Sequence, residues 1–381
     1  MSRATTPLIA AIACLLAALL AWRLAETPVL LLSAAAVPAL CYAALITRID
    51  RFAREPVGLR LLMFLWGAGA AALLATAAND AAQAGLGIFA NPERARALTP
   101  RLVAPAIEEL AKAAGLALLL LLQRDELDGV LDGIVYGALI GVGFAMTENT
   151  SYFILAAVQG GEMGLVQSIY LRALLAGLNH AAFSATLGAA IGWALQQGGG
   201  LRWVAPPLGL ALAIAEHVAW NGLAAGTLDT LICNPSAPDG ACRPPAPAAA
   251  LFVIAPLVVG VCIAPALAAL AVAARLALRH EAAIIARQLW DEVRTNELSG
   301  AQYAELCSAP ARLGAERRAW RRGGLRAWRD RRRFHRVATK LAFVRQRRGA
   351  AAGAGDEAAY RAELLALARA QTSSRSITTM P

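Results

Sequence analysis

The sequence predicts an all-α fold, a polytopic transmembrane helix bundle of about eight spans with a basic helical cytoplasmic tail, and three observations lead there. Hydrophobic residues make up 58% of the 381 positions and charged residues 16%, whereas a water-soluble domain is about a quarter charged. Mean hydropathy is +0.52, and several apolar runs approach or exceed the ~18–20 residues a helix needs to cross ~30 Å of hydrocarbon. The runs are rich in Ala and Leu and lack period-2 alternation. That excludes a transmembrane barrel, the other architecture that satisfies its backbone inside lipid.

In chain order, spans are expected at 8–22, 28–46, 61–79, 102–122, 132–157, 169–195, 204–228 and 249–274, each interrupted by few charges. The first run is short enough for a signal peptide, but Arg23 stands where small residues should precede a cleavage site, so a retained span is expected. Arg48, Arg51, Arg54 and Arg60 follow the second span. With the basic tail they orient that loop and both termini toward the cytoplasm. The 123–131 loop, also inside by this count, sets Arg124 against Asp125, Glu126 and Asp128; acidic residues weigh little in the rule. Cys233 and Cys242 share a Pro/Gly-rich outer loop after the seventh span, where a disulfide is plausible.

An ionisable group in mid-span is costly and therefore points to function. Glu108 and Lys112 are four residues apart on the fourth span, so they share a face and can neutralise each other, which leaves Glu109 about 100° further round. In the fifth span Gly133, Gly137 and Gly141 recur every four residues, a spacing that lets two helix backbones approach closely. The same stripe continues to Phe144, Ala145 and Glu148, and Asn149 adds an amide that could orient a carboxylate. The sixth span offers Asn179, His180 and Ser184, and the seventh Glu216, His217 and Asn221.

Two mid-span imidazoles beside several carboxylates suit Zn or another divalent metal with three protein ligands and an open position. Without a metal, the same groups could activate water through a Glu base, with His and Asn stabilising the developing oxyanion. Spacing leaves both open, because the ligands come from separate helices and not from an HExxH pair. Two non-peptidase readings stand beside these: a transporter or proton pathway, since rows of Glu and His relay protons, and a scaffold whose buried polar groups serve packing. Against the first, there is no internal repeat and no paired broken helices.

The order Glu-Glu-Leu-Ala-Lys at 108–112, Phe144 to Glu148 followed by Asn149, then His180 and His217 resembles the PrsW family of intramembrane proteases, relatives of the CAAX-processing and bacteriocin-processing enzymes. The stretch from Asp50 to Pro56 resembles the family's segment before its third span, and the likeness covers roughly residues 45–225. It implies a catalytic set of Glu108, Glu109, Glu148, His180 and His217, supported by Lys112, Asn149 and Asn221, with Glu148, His180 and His217 as metal ligands where a metal is used. It further implies a transmembrane protease domain over 1–274, a bacterial inner membrane, and a membrane-anchored protein substrate, for which the family's precedent is an anti-sigma factor.

From Arg275 onward 22 Arg or Lys face 10 Asp or Glu, a net of +12, while the preceding 274 residues carry 14 against 16. Residues 275–348 are expected to be helical and partly amphipathic, with ten Arg between Arg317 and Arg336 around Trp320, Trp328 and Phe334. Beside a bilayer such a stretch binds anionic lipids. A solvated or partner-binding helical tail is the second reading, and nucleic acid the weakest, because no recognition motif accompanies the charge. An Ala/Gly linker at 349–355, a short helix and a disordered end complete 349–381.

Overall fold

A computed structural model of the chain describes residues 5–50, 52, 55–89, 92–93, 98–123, 126–197, 199–225, 250–347 and 354–377. Among them there are helices and no strands. Cys233 and Cys242 lie outside the described residues, so the expected disulfide does too. Two compact units emerge: Met1–Ile49 with Glu55–Ala274, and Asp50–Arg54 with Arg275–Pro381.

In the first unit the helices are α1 (Thr5–Leu24), α2 (Val29–Ile46), α3 (Val57–Leu65), α4 (Ala72–Phe89), α5 (Ala104–Gln123), α6 (Val130–Ser168), α7 (Asn179–Leu195) and α8 (Leu201–Ala219). The last long helix, α9 (Ala255–Gln288), begins here and ends in the second unit. Trp66–Ala71 joins α3 to α4 as a π-helical turn, and Thr99–Val103 leads into α5 in the same way. Large apolar side chains such as Leu15, Val37, Leu121, Leu208 and Val261 are exposed on these helices, as lipid-facing positions are.

The centre of this unit is the α6–α7 pair. A Cβ built on Gly133 would meet the Gly188 carbonyl oxygen at 1.9 Å, one on Gly137 the Ser184 oxygen at 2.3 Å, and one on Gly141 the His180 oxygen at 2.1 Å. Partner numbers fall by four as the glycine numbers rise by four, so the two helices run antiparallel in near backbone contact. The glycine stripe thus does what its spacing predicts. Gly141→Ala would drive a methyl into the backbone that carries His180. The expected cost is toward the upper end of roughly 1–3 kcal/mol for overpacking, read as a lowered melting temperature in detergent together with weakened activity.

Length and composition alone qualify five helical stretches to cross a membrane, fewer than the eight expected from sequence. One of the five, Val130–Leu195, is 66 residues long and folds back on itself as α6 and α7. Two other long helices fall short for a physical reason: α5 carries Glu108, Glu109 and Lys112, and α8 carries Pro206, Pro207, Glu216 and His217. What makes these two helices look poorly suited to lipid is the polar content that faces inward.

The second unit has its own core, which the Arg-rich composition conceals. Its helices are the end of α9, then α10 (Trp290–Arg294), α11 (Gly300–Leu306), α12 (Ala309–Arg347) and α13 (Ala354–Ile377). Phe334, Val337, Ala338, Leu341 and Ala342 of α12 bury against Ile285, Leu289, Leu306 and Leu364, following the i, i+3, i+4, i+7 spacing of an amphipathic helix. Ser299 caps α11 by accepting from the Gln302 amide, and the Gln302 side chain accepts from the Ser299 amide. Arg312, 1% exposed, donates to the carbonyls of Leu306 (2.9 Å) and Phe52 (3.2 Å). The helix at the end of the chain is longer than expected: α13 continues to Ile377 and takes in residues read as disordered.

Glu292 and Glu305 tie this unit to pH. Burial alone would raise both carboxyls, but hydrogen bonds from Arg345 to Glu292 (2.6 Å), and from Arg331 and His335 to Glu305, hold them below the ordinary 4.5. A carboxylate with a depressed folded value contributes stability above its unfolded pKa and loses it as pH falls. Hydrogen exchange in α11 and α12 of the full chain, corrected for intrinsic rate, is therefore expected to accelerate below about pH 4.5. Unchanged protection down to pH 3 would contradict these pairings.

Candidate active site

Helix α5 brings Glu108, Glu109 and Lys112 into the bundle, because Lys112 follows Glu109 by three residues and Glu108 by four, the two spacings that meet on a helix face. All three are buried: 6%, 0% and 1% exposed. The pairing differs from the one expected. Lys112 Nζ lies 2.7 Å from Glu109 Oε1 and 3.9 Å from Glu108 Oε2. Both carboxylates are within reach of the ammonium, but Glu109 is the deeper and already meets His217, so the charge settles there. The residue left over is Glu108, not Glu109.

Glu109 is saturated. Besides Lys112, its Oε1 accepts from His217 Nδ1 at 3.0 Å, and its Oε2 from the Ser184 hydroxyl at 3.4 Å. With Nδ1 donating to a carboxylate, His217 has its Nε2 lone pair free, and that atom lies 3.8 Å from Glu108 Oε2. Lys112 Nζ donates to His180 Nδ1 at 3.0 Å, and His180 Nε2 then donates to Glu148 at 2.9 Å. The rings of His180 and His217 meet edge to face at 5.0 Å, Phe183 stacks on His217 at 4.9 Å, and Lys112 sits 4.0 Å over Phe144. These ring contacts fix the orientation of both imidazoles.

Four of the five residues singled out as catalytic, Glu108, Glu109, His180 and His217, thus form one buried cluster with Lys112, and Glu148 joins through His180. Glu148 is also held by Arg172 at 2.8 Å, whose Nε donates to the Asn149 side-chain oxygen at 3.1 Å while the guanidinium lies 3.5 Å from the Tyr152 ring centre. Asn221 is elsewhere: its amide donates to the Pro100 carbonyl at 2.9 Å, clasping the turn after α8 to the turn before α5. Glu216 accepts from Thr186 at 3.1 Å.

Two neighbours of the cluster escaped the sequence reading. Asn79 of α4 donates to Glu108 Oε1 at 3.5 Å, and Arg172 clamps Glu148. Both stand at the ends of expected spans, where polar residues are ordinary; their signal was only that each lies within a turn of hydrocarbon. Asn79→Ala is expected to leave Glu108 unoriented and lower turnover about tenfold, with folding preserved; full activity in that variant would remove Asn79 from the site.

One oxygen stands out. Glu108 Oε2 is buried and has no hydrogen-bond partner, which a carboxylate tolerates only at a cost. Glu108, His180 and His217 each offer a ligand atom, and the three lie within 4.8 Å of one another. Across the cluster three carboxyl groups, Glu108, Glu109 and Glu148, face the two cations Lys112 and Arg172. Two imidazoles and one carboxylate are a ligand set that Zn accepts, and the contact of Glu109 with the far nitrogen of His217 is the second-layer arrangement that orients metal-bound imidazoles. The residues fit a divalent cation. The set within reach contains Glu108 where Glu148 was expected, since Arg172 already clamps Glu148; His180 would join it by releasing either Lys112 from Nδ1 or Glu148 from Nε2.

The family model described as PrsW family intramembrane metalloprotease matches residues 55–261. The chain belongs to the PrsW family. It is therefore a membrane protein and an intramembrane protease. The match takes in α3 to α8, and with them every residue of the cluster. No curated protein and no solved structure matches the chain.

Proposed function

We propose that the buried cluster hydrolyses a peptide bond of a membrane-anchored protein, with Glu108 at its centre: its free oxygen acts as the base in the metal-free cluster, and Glu108, His180 and His217 are the residues that would hold a divalent ion where one is used, the ion then taking over the activation of water. The unpartnered Glu108 Oε2 facing the His217 Nε2 lone pair carries this reading. That oxygen is buried in the cluster and no hydrogen bond satisfies it. Glu108 accepts the proton of the attacking water and returns it to the departing amide nitrogen. Glu109, itself held by Ser184, holds His217, and Glu148 holds His180, so these position more than they react. Lys112 places a positive charge beside the developing oxyanion. A divalent ion held there, when bound, supplies Lewis acidity toward water and carbonyl.

Counting α5 and α8 with the apolar stretches, and α6 and α7 as separate legs, gives eight crossings with both termini cytoplasmic, in a bacterial inner membrane. The tail's exposed arginines then lie on the cytoplasmic side, where anionic lipids attract them by about 1 kcal/mol per charge. An anti-sigma factor is the kind of single-span substrate such an enzyme would release. Family membership favours the peptidase over the proton-pathway and scaffold readings.

Metal analysis tests the ligand set. Purified wild-type chain exposed to Zn and desalted is expected to retain about one ion per chain, and His180→Ala or His217→Ala to retain none. Equal metal content in all three, or cleavage untouched by chelators, would leave Glu108 to act alone.

A further inference from the structure

The second unit holds a built basic pocket to which the family match, ending at residue 261, does not extend. The pocket is an open groove between α12 and α13 of about 400 Å³, lined by Arg329, Arg332, Arg336 and Lys340 with the rings of Trp328 and Tyr360. The charges at 329, 332, 336 and 340 recur at helical spacing, so α12 presents them on one face. Arg332 stacks on Trp328 at 4.6 Å. Of the pocket's basic side chains, Arg333 pairs with Glu363 at 2.6 Å, while Arg329, Arg336 and Lys340 stand exposed on the same face.

Elsewhere this unit spends its carboxylates on its arginines. Arg345 pairs with Glu292 and Glu357, Arg361 with Glu292 and Glu297, and Arg331 with Glu305. Like charges a turn apart on a helix repel, and a fold able to balance three arginines so fully leaves this face in excess. The volume suits a small ligand. Guanidinium groups bind phosphate oxygens in a two-pronged geometry, and the rings wall off one side.

We propose that this pocket binds a compact ligand bearing adjacent phosphate groups, either the phosphorylated headgroup of a lipid or a soluble phosphate ester. This is a specific site and not the general attraction of a polybasic tail to a membrane.

The test uses the full chain in nanodiscs of neutral lipid at about 0.15 M salt, where diffuse surface attraction is screened, with inorganic pyrophosphate as the probe in calorimetry. Wild-type protein is expected to bind one equivalent. Arg329→Gln/Arg336→Gln/Lys340→Gln should weaken binding at least tenfold, while Arg317→Gln/Arg322→Gln/Arg326→Gln, which removes the same charge from the exposed part of α12 outside the pocket, should change it less than twofold. Nanodiscs carrying phosphatidate separate the sources: competition with pyrophosphate assigns the pocket to a lipid headgroup, and its absence to a soluble ligand. No binding by the wild type, or equal weakening in the two triple variants, would overturn the proposal. Circular dichroism of each variant guards against unfolding; if the pocket triple unfolds, Arg336→Gln alone, at an exposed position, should still weaken binding severalfold.

Discussion

Replacing Glu108 by Gln is expected to reduce cleavage by about 10³-fold, within the range that loss of a general base produces, while the protein inserts and melts as the wild type does. The amide keeps the shape and can still meet Asn79, which reaches Oε1 at 3.5 Å. What it loses is the lone-pair chemistry at the oxygen that no neighbour satisfies. The variant therefore separates reaction from structure better than a truncation does. The readout is the cut fragment per unit of enzyme in membranes, with the melting temperature measured on the same preparations. A variant that keeps a tenth or more of wild-type turnover would displace Glu108 from the reaction.

Lys112→Met is expected to act on structure and activity together. Lys112 is 1% exposed and touches Glu109, His180 and the face of Phe144. Its removal strands the Glu109 carboxylate, 0% exposed, with only His217 and Ser184. Breaking a buried ion pair by deleting one partner typically costs about 3–5 kcal/mol. The variant should melt well below the wild type and cleave little. Adding Glu109→Gln removes the stranded charge and should recover part of the stability without recovering turnover. A Lys112→Met protein as stable as the wild type would mean that Glu109 is not the partner of the ammonium.

Much of the site was legible because its parts are rare in lipid-facing helices. Glu108, Glu109 and Lys112 on one helix, Glu148 at the end of a glycine stripe, and two mid-span histidines stand out against an Ala/Leu background. Which carboxylate Lys112 takes was not legible, because i+3 and i+4 share a face and the choice falls to His217, 105 positions away in the chain. Asn79 and Arg172 were hidden by position, each at the margin of an expected span. The helix bundle was legible from its apolar runs, whereas α5 and α8 carry polar groups, Glu108, Glu109 and Lys112 on one and His217 on the other, that turn to the cluster and lower the hydropathy of these two helices. In the tail, arginine content drew attention to a surface, while Phe334, Val337, Ala338 and Leu341 marked a core at ordinary helical spacing.

The most direct measurement of whether the Glu108–His180–His217 cluster cuts peptide bonds is terminal proteomics of membranes from cells expressing the wild type or Glu108→Gln at equal levels. New peptide termini mapping within a transmembrane segment, or a turn from its end, should appear with the wild type and be missing with the variant, whose uncut parent protein accumulates. Identical sets of termini in the two membranes would contradict the assignment of peptide hydrolysis to this cluster.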